Sequence, residues 1–130
     1  MEQKIILGVV GVLIVAAIGI FVFAPTTEIA TDVPAGKYTE LATCIKDSGA
    51  TFFGAWWCPH CKAQKEMFGD AVDKLPYIEC STPDGNSQLP ACQNLGINNY
   101  PTWVFADHST STGEIPLATL AEKTSCALPI

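Results

Sequence analysis

Arginine is absent from this chain, and its Lys+Arg total of 7 is outweighed by an Asp+Glu total of 13, leaving a formal net charge of -6. Without a guanidinium fork there is no bidentate grip on phosphate. An acidic surface also repels the backbone of DNA or RNA, so no nucleic-acid partner is expected. No internal repeat and no low-complexity tract is present either. The length leaves room for one compact core and no second domain.

Polar residues are missing from one long stretch, since Ile5 to Ala24 contains only Ile, Leu, Val, Ala, Phe and Gly. A helix crosses a bilayer with about 20 residues, so segment 1–24 is expected to be a membrane anchor. The competing reading is a cleaved secretory signal, for which Val22 and Ala24 lie near a plausible cut. Pro25 would then follow the cut and block it, and the run exceeds the usual signal core of about 7–15 residues. Lys4 and the amino terminus precede the span, while Glu28 and Asp32 follow it. The positive-inside tendency therefore puts the N-terminus in the cytoplasm and everything from Pro25 onward in a periplasm, a lumen or a cell-surface space. Six cysteines in so short a chain fit an oxidising compartment independently of that argument. Segment 25–36, with its prolines, threonines and scattered acids, reads as a linker to a domain at 37–130.

Within that domain the residues that carry chemistry are Trp57-Cys58-Pro59-His60-Cys61. Two thiols at this spacing can hold a reversible disulfide. Pro59 suits a first helical turn, where its missing N–H costs nothing, and Cys58 would then face unpaired backbone donors that favour a thiolate. Structural zinc needs a second tight cysteine pair, and Cys80 and Cys92 are too far apart to supply one, so no metal is expected. Haem attachment needs His directly after the second cysteine, where Lys62 stands.

Periodicity predicts a helix over Lys37 to Ser48, a strand over Ala50 to Ala55 and a helix from Pro59 to Lys74 that buries Phe68, Ala71, Val72 and Leu75. A strand at Tyr77 to Cys80, a turn-rich loop at Ser81 to Asn86 and a helix over Gln88 to Leu95 follow. A strand over Thr102 to Ala106, a hairpin around Asp107 to Thr112 and a helix over Leu117 to Thr124 complete the order.

This α/β order, with the cysteine motif opening the second helix, resembles the thioredoxin fold, a central mixed sheet flanked by helices. Phe53 to Lys62, Gln64 to Gly69, Tyr77-Ile78-Glu79-Cys80, Gly96-Ile97 and Tyr100-Pro101-Thr102-Trp103 together resemble one subfamily. It is the thioredoxin-like domain fused to, or working beside, bacterial homologues of vitamin K epoxide reductase. The likeness covers Tyr38 to Cys126 and leaves the anchor and linker outside.

The resemblance implies that Cys58 is an exposed nucleophile and that Cys61 resolves the mixed disulfide. His60, as in the Cys-Pro-His-Cys of DsbA-type periplasmic oxidases, would give a hydrogen bond or positive charge to the Cys58 thiolate. That would stabilise the reduced form and make the disulfide a stronger oxidant; the bland alternative is a solvated helix residue. Reductant thioredoxins carry a buried acid in the preceding strand, where this chain has Phe52, and Glu66 reads as a solvated side chain. Tyr100-Pro101 resembles the cis-proline loop that pairs with bound peptide. Trp57, Tyr100, Pro101 and Thr102 are expected to line the substrate groove, with Trp57 near the surface and Trp56 inside. The four other cysteines allow three pairings. Cys80 with Cys92 is preferred, because both flank one loop and similar family members carry cysteines at matching places. Cys44 and Cys126 are left as a second bridge or as buried thiols.

The expected function is a tethered thiol-disulfide oxidoreductase that passes the Cys58–Cys61 disulfide to reduced exported proteins. It would hold no cofactor of its own. A separate membrane protein, similar to vitamin K epoxide reductase or to DsbB and linked to quinone, would reoxidise it. Two readings compete: an anchored reductase or isomerase serving cytochrome c maturation or disulfide repair, and a non-catalytic binding module.

Overall fold

A computed structural model describes residues 34–130 of the chain. The expected anchor and residues 25–33 of the expected linker lie outside the described residues. Among those described, no helix is long and apolar enough to cross a membrane.

The centre of the fold is set by two adjacent phenylalanines in strand β1 (Thr51–Gly54), which point to opposite faces of the sheet. Phe52, fully buried, stacks on Trp103 with ring centroids 4.8 Å apart and meets Tyr77 edge-on at 5.1 Å. Phe53 enters a smaller cluster with Cys80, Cys92 and Ile97 on the other face. A strand buried on both faces belongs at the interior of a sheet. β1 accordingly pairs in parallel with β2 (Tyr77–Glu79) and antiparallel with β3 (Thr102–Val104). The hairpin partner β4 (Thr110–Thr112) then extends the order to β2-β1-β3-β4.

Helix α1 (Thr39–Asp47) buries Leu41, Ala42 and Ile45 as one stripe against the main core. It packs beside the last helix, α4 (Leu117–Thr124), which contributes Leu120 and Ala121. The Cys44–Cys126 disulfide joins α1 to the segment just past the end of α4, across a sequence separation of 82. A second disulfide, Cys80–Cys92, ties the end of β2 to the short helix α3 (Pro90–Gln93). The preferred pairing of Cys80 with Cys92 is thus observed, and Cys44 and Cys126 form a bridge rather than remaining as thiols.

Several expected boundaries shift. The helix expected over Pro59 to Lys74 is two elements: α2 (Pro59–Glu66) and a 3₁₀ segment (Gly69–Lys74). The break falls at Gly69, whose φ of 57° ends the α-helical path. Phe68, Ala71 and Leu75 remain buried, but the tighter winding turns Val72 outward, 39 % exposed. The helix expected over Gln88 to Leu95 shrinks to α3, because Gln88 is held extended by a bridge to Ser81 and Pro90 can only start a helix. Leu95 lies outside it and is exposed. β3 stops at Val104, where Phe105 N–H turns to Ser109 O and the hairpin closes.

Candidate active site

The turn from β1 into α2 places both motif cysteines. Ala55 is buried, and Cys58 N–H donates to its carbonyl at 3.0 Å, which folds the chain back so that Cys58 caps α2. Pro59 takes the first helical position, as expected. The Cys58 sulfur sits where a capping oxygen would and accepts the Cys61 N–H at 3.3 Å. Of the six cysteines, only these two are free thiols.

Cys58 is less open than expected, with 5 % of its surface accessible. The cause is the loop opposite: the Cys58 thiol donates to Tyr100 O at 3.7 Å, and the Tyr100-Pro101 peptide bond is cis. Trp57 stands edge-on to Tyr100 with centroids 6.0 Å apart, so two aromatic rings flank the approach to the sulfur. Cys61 lies deeper, at 1 %. Burial pushes its thiol up to about 12, reinforced by hydrogen bonding with Cys58, while the Ala55 backbone and the Lys65 ammonium pull the other way. Gly54 makes this depth possible. A Cβ there would stand 2.9 Å from Cys61 Sγ and 2.9 Å from Tyr77 Cε2.

Phe52 places no acid beneath Cys61, as its identity predicts. The charged groups near the buried thiol come instead from residues the sequence did not single out. Lys65, one turn after Cys61, sets its ammonium 3.3 Å from the centroid of the Tyr77 ring. Tyr77 OH donates to Glu79 Oε2 at 2.7 Å, and burial together with Glu79 raises the phenol above its ordinary range. The other Glu79 oxygen accepts the backbone N–H groups of Trp56 at 3.1 Å and Ser81 at 2.9 Å, tying the loop before the motif to β2. Strand pairing was the available signal, since Glu79 is in register with Gly54. Glu66 is solvated, 3.9 Å from Lys62.

Trp57 is half exposed, as expected, but Trp56 is not inside: it is 59 % exposed. Its indole N–H donates to Thr82 O at 3.2 Å while that of Trp57 donates to Ser81 Oγ at 2.8 Å, so both rings lean on the loop after β2. Gly85 of that loop lies under them, its Cβ direction 3.5 Å from Trp56 and 3.6 Å from Trp57. Trp57 and Gly85 border an open cavity of ≈ 300 Å³ lined also by Ser81, Gln88, Asn98 and Tyr100 among others. Thr102 does not reach it. Its hydroxyl donates to Asn99 O at 2.7 Å, and it lines a different hollow, of ≈ 520 Å³, with Phe53, Leu95, Val104 and Thr110 among others. Pro101 is fully buried.

His60 makes no hydrogen bond to Cys58. Its Nδ1 lies 2.7 Å from Glu114 Oε1, which accepts from it. One turn further along α2, the buried Gln64 donates from Nε2 to Ile115 O at 3.0 Å and accepts the Ile115 N–H at 2.6 Å. Neither contact is visible as a local pattern, since 54 residues separate His60 from Glu114 and 51 separate Gln64 from Ile115.

Comparison with known proteins agrees with this geometry. An alignment 93 residues long, covering 68% of the chain, is 46% identical to a protein of Arabidopsis thaliana named thiol-disulfide oxidoreductase LTO1. That stretch spans only 24% of the plant protein, so the chain corresponds to about a quarter of its length. The family profile described as Thioredoxin matches residues 36–124. With a cis-proline loop facing the Cys58 thiol at the start of α2, the chain belongs to the thioredoxin family.

Proposed function

We propose that this protein is a thiol-disulfide oxidoreductase tethered to a membrane by segment 1–24, with its N-terminus cytoplasmic and its folded domain outside the cytoplasm, and that it donates the Cys58–Cys61 disulfide to reduced exported proteins. A substrate thiolate attacks Cys58 Sγ, the Cys58–Cys61 bond breaks, and Cys61 leaves with the electron pair and takes a proton from solvent. A second substrate thiolate then attacks its own mixed-disulfide sulfur, releasing an oxidised substrate and the Cys58 thiolate, whose protonation from solvent completes the dithiol. Two electrons and two protons have passed to the protein. They pass on when the Cys58 thiolate attacks a disulfide of a membrane oxidoreductase, similar to vitamin K epoxide reductase or to DsbB, and Cys61 resolves the adduct. The quinone belongs to that partner, since the chain itself needs only its dithiol. A tether raises the domain's effective concentration at such a partner.

The observation that carries this reading is the division of the cysteines. Four are closed into two bridges, and of the remaining pair of free thiols Cys58 meets the cis-proline loop at Tyr100 O. The Cys61→Ala variant should accumulate mixed disulfides through Cys58 with exported proteins and with one membrane protein, seen as dithiothreitol-sensitive bands. Cys58→Ser should accumulate none and lose turnover. Absence of any membrane-protein adduct would contradict the reoxidation step. Reductase or isomerase activity is the second reading, favoured by one observation: His60 is engaged by Glu114 rather than by Cys58.

A further inference from the structure

Glu114 lies between β4 and α4, and His60 lies on the first turn of α2. Exposed ion pairs are weak largely because two mobile side chains must be held in one geometry. Here part of that geometry is already built. Ile115, the residue after Glu114, is locked to α2 by two hydrogen bonds exchanged with Gln64, one donated by each, and the Gln64 side chain is fully buried. The backbone carrying Glu114 is therefore fixed against the helix that carries His60. The pair itself remains partly open, with side-chain exposures of 68% and 36%.

We propose that Glu114 is a positioning residue that sets the redox poise of Cys58–Cys61 by holding the His60 ring away from the Cys58 sulfur. The inference rests on that cysteine pair being the redox centre. Reduction by glutathione breaks the Cys58–Cys61 bond: two glutathione thiols become one glutathione disulfide, and the protein gains two electrons and two protons. Any positive charge that faces the Cys58 thiolate stabilises the dithiol side. A His60 ring bound to Glu114 is directed elsewhere, so the disulfide is a weaker oxidant than the motif alone implies.

The test uses the full-length chain in mild detergent, equilibrated in glutathione buffers. Alkylation and peptide mass then read Cys58 and Cys61 separately from the two structural bridges. Glu114→Gln should shift the equilibrium toward the dithiol by roughly two- to fivefold, the range of an exposed pair; fivefold corresponds to about 20 mV. In a His60→Ala background the same substitution should have no effect. An unmoved equilibrium, a shift toward the disulfide, or an equal shift in the His60→Ala background would overturn the proposal. A wild-type pair that forms no disulfide in any buffer would instead remove the redox reading and the proposal with it, an outcome distinct from a normal potential that Glu114→Gln leaves unchanged.

Discussion

Two sulfurs in one motif are given different surroundings by three residues of helix. Cys58 takes the end of α2 with a backbone donor on its sulfur, whereas Cys61 is driven beneath the surface against Gly54 and Tyr77. Burial raises the Cys61 thiol from 9.0 to about 12, so the folded dithiol holds this proton more tightly than the unfolded chain does. The stabilisation is complete below 9.0 and is lost as the pH rises to about 12, because only the unfolded state releases the proton within that window. Thermal melts of the reduced protein should therefore fall across this range relative to the oxidised protein, which has no Cys61 thiol to titrate. Parallel curves would contradict the burial argument. Gly54 is the second residue with a defined cost. Gly54→Ala places a methyl 2.9 Å from Cys61 Sγ and from Tyr77 Cε2, and both are packed too tightly to retreat freely. It should destabilise the protein by about 1–3 kcal/mol, the usual penalty of overpacking, as measured by urea unfolding.

The elements hold the site through a few long connections. α1 is joined to the segment after α4 by Cys44–Cys126, which closes a loop across a sequence separation of 82. By chain entropy such a bridge restrains the unfolded state more than the 12-residue Cys80–Cys92 closure does. Replacing Cys44 and Cys126 together by Ser should cost about 2–5 kcal/mol in denaturant unfolding. The potential of Cys58–Cys61 should stay close to its original value, since neither half of the bridge hydrogen-bonds to the motif. What the sequence could reveal at this scale was local. Pro59 marked the start of α2, and the spacing of Leu41, Ala42 and Ile45 marked the buried face of α1. The break at Gly69 escaped because apolar residues at Phe68, Ala71 and Leu75 fit a continuous helix equally well. The exposure of Trp56 escaped because a large aromatic beside a buried strand ordinarily joins the core, whereas here its indole N–H is satisfied by the loop carbonyl of Thr82.

For the molecule as a whole, the redox pair was legible because its residues are contiguous, and its environment was not because it is assembled from distant segments. Cys58 and Tyr100 are 42 residues apart, Trp57 and Ser81 are 24 apart, and His60 meets Glu114 across 54. The motif therefore identifies the reaction, while β2, the cis-proline loop and the segment before α4 set the surroundings in which it runs. The direction of electron flow is a property of that whole assembly. The most direct measurement is the reduction potential of Cys58–Cys61 in the intact chain, equilibrated against glutathione. The account predicts a value of about −120 to −180 mV, the range of proteins that donate disulfides. A value near about −270 mV, that of thioredoxin, would contradict it and make the protein a reductant.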